Sequence, residues 1–261
     1  MFWLCSLFVS IWVEFSGALG HEDLSAHRHP RNLAVGPESA LYDAKHGIKM
    51  GVPNGGCDDA QTGLDMDWDG SPTEYVCYYP TKPLIPNRKT KSRLECVHLA
   101  SDYLPRHFCM NEKLTYNASI PTHGDHRPLW PKFGEYRYVP PQRWLHNIEH
   151  GSVVMLYHPC THHRVVDKLR QIVKGCLRKH IITPSAALTR KRPLALVAWG
   201  CRLTMSGVNE TEVVQFIRDK GLKGPEGSLP KEGQYDFHLL EQAQVVPGSD
   251  ERDGHICPHY S

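Results

Sequence analysis

No Cys-x-x-Cys pair occurs in the chain, which excludes a thioredoxin-type redox centre and a zinc ribbon. Concentrated charge is missing too: 30 basic against 28 acidic residues leave a formal net charge of +2. The short basic runs Lys89-Thr-Lys91-Ser-Arg93 and Arg190-Lys-Arg192 read as solvated loops, so nucleic acid is not an expected partner. Long apolar runs are scarce. The one clean run, FWLCSLFVSIWV, is about a dozen residues, short of the ~20 needed to span a bilayer. Followed by Gly17-Ala18-Leu19-Gly20, it reads as a signal peptide over residues 1–20, although Glu14 intrudes and a basic leader is missing. With no later segment apolar enough to cross, the mature chain is expected to be secreted or lumenal in the secretory pathway.

What is present fits that destination. Cys5 would leave with the signal, and Cys57, Cys77, Cys96, Cys109, Cys160, Cys176, Cys201 and Cys257 remain as disulfide candidates in an unassigned pattern. Asn117-Ala-Ser119 and Asn209-Glu-Thr211 are sequons for N-glycosylation. Histidine is the compositional outlier at 17 residues, and it points to metal or pH chemistry. A cut after Gly20 would expose His21 as an N-terminus able to chelate copper through amine and ring.

The expected organisation is a flexible arm over residues 21–56, a Cys-rich lead-in over 57–115, an α+β domain over 116–228 and a C-terminal tail over 229–261. Pro140-Pro141 opens a short helix that ends before Gly151, because proline suits the first turn and glycine the position past the last. Ser152 to Tyr157 reads as a strand, His163 to Lys179 as an amphipathic helix, Ile181-Ile182 as a short strand and Leu194 to Leu203 as the most apolar strand. A second main helix follows over Glu210 to Lys220, stopped by Gly221. The fold class expected is a single sheet flanked by two main helices.

Five of the histidines fall between Ile120 and His158, and the densest group is His146, Glu149 and His150. Histidines at i and i+4 of a helix lie about 5–6 Å apart at Cβ, a workable bite for one ion; on a strand they would be ~13 Å apart. A third ligand is sought in the Thr122-His123-Gly124-Asp125-His126 loop, with His126 first and His123 or Asp125 as neighbours. His158 is further along the chain, and Met155 or Met205 could add a soft ligand for copper. The spacing also equals an inverted zinc-protease pattern, with Glu149 as general base and Glu226 as a distant ligand. Trp130, Phe133, Tyr136, Tyr138 and Trp144 read as a packed lid and Trp199 as mid-strand core.

The run YNASIPTHGDHRPLWPKFGEYRYVPPQRWLHNIEHGSVVMLYHP, with RPLALVAWG and FIRDKGLKGPE, resembles the tumour protein p53-inducible protein 13 family, animal members of domain of unknown function 3105. The resemblance covers roughly Cys109 to Glu226. It implies a loop histidine at His126, a His-x-x-Glu-His-Gly motif at His146, Glu149, His150 and Gly151, and a strand carrying Ala198-Trp199-Gly200, with no catalytic role attached. It also implies membrane association and growth inhibition, with a candidate tumour-suppressor role. The C-terminal span of the longer relatives is not found in this sequence, consistent with a secreted member, a short isoform or an incomplete gene model.

Three readings follow. In the first, an exported binding or regulatory domain with an unidentified protein partner holds copper or zinc on His126, His146 and His150. The second is a metal-dependent hydrolase using Glu149. The third is a non-enzymatic adhesion or signalling ectodomain whose histidines are structural.

Overall fold

The computed structural model describes residues 35–229 and 231–260. The expected signal peptide and His21 lie outside them. In chain order the elements are β1 (Tyr42–Asp43), β2 (Gly47–Ile48), β3 (Arg93–Cys96), β4 (Gly134–Tyr136), α1 (Pro141–Glu149), β5 (Val153–Tyr157), α2 (His163–Lys174), β6 (His180–Pro184), β7 (Leu194–Ala198), β8 (Cys201–Met205), α3 (Glu210–Lys220) and β9 (Leu239–Gln242). The fold is α+β. Seven strands form one mixed sheet in the order β3-β8-β7-β5-β6-β4-β9, and β1 and β2 form a small antiparallel pair.

Strand pleat sorts the core into two layers. On β5, Val153 and Met155 face the side covered by α2 and α3, with Leu169, Ile172, Val213 and Ile217. Val154 and Leu156 point the other way, onto Leu145 and Ile148 of α1. The same alternation divides Leu194, Leu196 and Ala198 from Ala195 and Val197 on β7, as the two-residue period of a strand requires. A sheet buried on both faces explains why β5, β6 and β7 read as nearly continuous apolar runs.

Several boundaries differ from those expected. α2 ends at Lys174, where Gly175 takes the cap, rather than at Lys179. The stretch Leu194–Leu203 is not one strand but the hairpin of β7 and β8, turning at Trp199-Gly200. Trp199 therefore sits at the turn, partly exposed beside the Tyr103 ring, and not mid-strand. α1 makes a third helix, on the opposite face of the sheet from the two main ones. Part of the stretch expected as a mobile arm is built in: Leu41, His46 and Ile48 are buried. Part of the tail is too, since β9 pairs with β4 and Cys257 is buried. No helix among the described residues is long and apolar enough to cross a membrane.

All eight expected cysteines are paired, as Cys57–Cys109, Cys77–Cys160, Cys96–Cys201 and Cys176–Cys257. Cys96–Cys201 joins directly opposed residues of β3 and β8. Cys57–Cys109 closes a loop within the lead-in and ends two residues beyond His107, and so bears on the site.

Candidate metal centre

α1 is buried on nearly all sides although half of it is polar: Arg143, His146, Asn147 and Glu149 are each fully buried. Buried polar groups need partners. Arg143 finds one in Asp58 of the lead-in, with Nη1–Oδ2 at 2.6 Å and Nη2–Oδ1 at 2.9 Å. Arg127 pairs likewise with Asp67, through Nε–Oδ2 at 2.9 Å. These two pairs tie the lead-in to α1 and to the segment that precedes it.

The helix itself is fixed by Pro141 at its start and Gly151 behind it. Gly151 has φ +82°, and a Cβ there would meet the Leu222 Cα at 2.7 Å. His146 and Glu149, three residues apart, therefore share a face and stay in place.

Backbone bridges bring the other histidines. His107 N donates to His46 O at 2.9 Å, Phe108 N to His126 O at 3.0 Å and His126 N to Arg106 O at 3.1 Å. Residues 46, 107 and 126 are thus laid side by side. One ligand atom each from His107, His126, His146 and Glu149 falls within 4.8 Å of every other, and all four residues are buried.

The orientation of the three rings is the decisive feature. Each places Nδ1 on a main-chain carbonyl: His107 on Ile48 O at 2.7 Å, His126 on Gly124 O at 2.8 Å, and His146 on Arg127 O at 2.6 Å. A carbonyl only accepts, so Nδ1 carries the proton and Nε2 the lone pair. Those three Nε2 atoms and both Glu149 oxygens are buried without a hydrogen-bond partner. His126 Nε2 lies 3.1 Å from Glu149 Oε2, yet misaligned for a hydrogen bond.

Burial keeps the His107 and His146 rings neutral. Desolvation first, and the proximity of the His126 ring second, push the His107 pKa down to about 2. Desolvation, followed by His150, holds His146 well below its ordinary value. Neutral rings are the form a metal binds.

His150 lies beside this group without joining its four ligand atoms. Its ring is 4.6 Å from that of His146, and its Nε2 is 3.2 Å from Glu226 Oε2. Glu226 arrives on a strap that crosses the end of α1, with Glu226 N donating to Glu149 O at 3.0 Å. The strap packs so closely that a Cβ on Gly224 would fall 2.1 Å from Glu149 O. The neighbouring His150 ring first, and then the hydrogen bond with His46, hold the Glu226 carboxyl below its ordinary pKa.

The remaining sequence candidates are elsewhere. His123 is partly exposed against the Tyr103 ring, and Asp125 accepts from Arg106 N at 2.7 Å. His158 stands past the far end of β5, accepting from Cys160 N. Met155 and Met205 belong to the core under α2 and α3, across the sheet from the cluster, and cannot supply it with sulfur. Trp130 does wall the cluster, 4.7 Å from the rings of both His146 and His150. Tyr136 and Trp144 are core. His107 and His46 have no motif in sequence that marks them.

A fully buried three-imidazole, one-carboxylate group inside an α+β domain is what the geometry defines. Residues 107–233, which carry all of that group, match the family described as "Protein of unknown function (DUF3105)". Tumor protein p53-inducible protein 13 of Rattus norvegicus is 30% identical over 67 residues, 26% of this chain and 17% of the relative. The chain thus spans less than a fifth of the curated relative's length. No solved structure matches significantly.

Proposed function

We propose that this chain is an exported binding domain that holds a transition-metal ion on His107, His126, His146 and Glu149. One observation carries the reading: three imidazoles whose Nδ1 atoms sit on main-chain carbonyls turn their Nε2 atoms, and an acid turns its oxygens, into one buried space with no hydrogen-bond partner. Left empty, each such atom costs about 1–3 kcal/mol. A cation answers all of them at once. Three nitrogens, one oxygen and no sulfur suit zinc first and copper second.

A purely structural network is less economical, because every Nδ1 is already satisfied and the Nε2 atoms gain nothing from one another. Hydrolysis is disfavoured as well, since a Glu149 oxygen stands among the ligand atoms rather than free to act as a base. Export is supported by four disulfides. Exposed Asn117 and Asn209 are the proposed glycan sites. Growth regulation through a protein partner, implied by the resemblance, is the proposed setting.

The test is metal content of the purified secreted chain by mass spectrometry, beside a His107→Ala/His146→Ala variant. Bound zinc or copper in the parent and its loss in the variant is the expected result. A metal-free parent that also takes up neither ion on reconstitution would end the proposal.

A further inference from the structure

Two basic runs far apart in the chain meet in the fold. Arg192 Nε donates to Lys91 O at 3.0 Å, which lays residues 190–192 beside the 88–93 run. The charge of Arg192 is felt at Glu95, on the strand that continues from that run. Alone, each run is a short solvated loop. Side by side they gather the cations of a chain whose net charge is only +2.

The helix α2 adds two more. Arg164 and Lys168, one turn apart and so on one face, line a groove of about 860 Å³ with Arg88 and Lys91. All four are exposed, and among the described residues none of them has an ion-pair partner. The backbone that carries Arg88 and Lys91 is fixed. Asn87 N donates to Ser206 Oγ at 2.8 Å and Thr90 N to Asn87 O at 2.9 Å. A Cβ on Gly207 would meet the Pro86 Cβ at 2.7 Å, so this loop lies directly on the turn between β8 and α3. A cleft lined by one sign of charge, formed before anything binds, concentrates ions of the other sign.

One acid opposes the four cations: Glu212 lines the groove and accepts from Ser92 Oγ. No aromatic side chain lines it, so there is nothing on which a nucleic-acid base could stack. Its apolar side chains are Pro86, Val165 and Val208, too few and too small to anchor a peptide as aromatic hot spots do.

We propose that this groove binds a linear sulfated polysaccharide, through sulfate groups paired with Arg88, Lys91, Arg164 and Lys168. Clustered Lys and Arg suit heparin-like chains, and the guanidinium fork matches an oxyanion through two hydrogen bonds at once. The inference takes only the exported setting from the function proposed above. The metal centre, across the sheet, plays no part in it.

The experiment is isothermal titration of the full secreted chain with a short heparin oligosaccharide. Asn209 also lines the groove, so every protein carries Thr211→Ala, which removes that sequon. Saturable binding that weakens with added salt is expected. Lys91→Gln/Lys168→Gln and Arg88→Gln/Arg164→Gln should each lower affinity about tenfold, and Glu212→Gln should raise it about threefold. Lys113→Gln/Arg252→Gln, an equal loss of exposed charge outside the groove, should leave it unchanged. No binding, unchanged affinity in the groove variants, an equal loss in the control, or equally tight binding of poly-glutamate or single-stranded DNA overturns the proposal. A parent that holds its metal and ignores heparin overturns this inference alone. One that binds heparin and holds no metal leaves it standing.

Discussion

His126 Nε2 and Glu149 Oε2 are 3.1 Å apart and do not hydrogen-bond. Two ligands of one tetrahedral ion, with bonds of about 2.0–2.1 Å, stand roughly 3.3 Å from each other. This pair is therefore already at ligand spacing. All four ligand atoms lie within 4.8 Å of one another, so one ion would draw the others toward the same spacing.

Metal removal should loosen the fold as well as empty the site. An ion bound at a thousandfold excess over its Kd adds about 4 kcal/mol of stability. For a domain of this size that is on the order of 10 °C in melting temperature. Calorimetry with and without a strong chelator checks it. An unchanged melting temperature would show that the described cluster is indifferent to metal.

The Arg143–Asp58 pair is buried to within 1% on both side chains. Removing one partner strands a charge, so Arg143→Ala is expected to cost about 3–5 kcal/mol in urea unfolding. Lys132→Ala, which breaks the exposed pair with Asp236, should cost no more than about 1 kcal/mol.

Cys57–Cys109 spans 52 residues and ends two positions from His107. Replacing both by serine should cost about 2–5 kcal/mol. It should also weaken metal binding more than loss of Cys77–Cys160, whose partners lie away from the cluster. Zinc titration of the two double variants compares them.

His180 provides a pH signature separate from the metal ligands. Burial pushes its pKa from 6.5 to about 4. The unfolded chain then binds the proton more readily, so stability is full above pH 6.5 and is lost as pH falls toward 4. The shift corresponds to about 3 kcal/mol. Denaturation at pH 7 and pH 4 should show a smaller difference in His180→Gln than in the parent.

Much of this architecture is legible in the chain. Pro140-Pro141 and Gly151 bound α1 because their backbone limits act locally, and nearly continuous apolar runs mark β5 and β7 as strands buried on both faces. The Trp199-Gly200 turn was hidden inside an unbroken apolar run, since burial on both faces erases alternation. Helical spacing is enough to put His146 and Glu149 on one face of α1. His150 caps α1 at φ −82°, ψ 15°, where helical geometry ends, and its ring turns to Glu226, which helical spacing alone does not show. His107 and His46 could not be read: disulfide closure and long-range backbone bridges bring them in, and neither leaves a local pattern.

Anomalous diffraction at the zinc edge, from crystals grown with Zn2+, tests the central claim most directly. A peak about 2 Å from Nε2 of His107, His126 and His146 and from a Glu149 oxygen is predicted. Density there for water alone, with zinc only on surface histidines or nowhere, would contradict it.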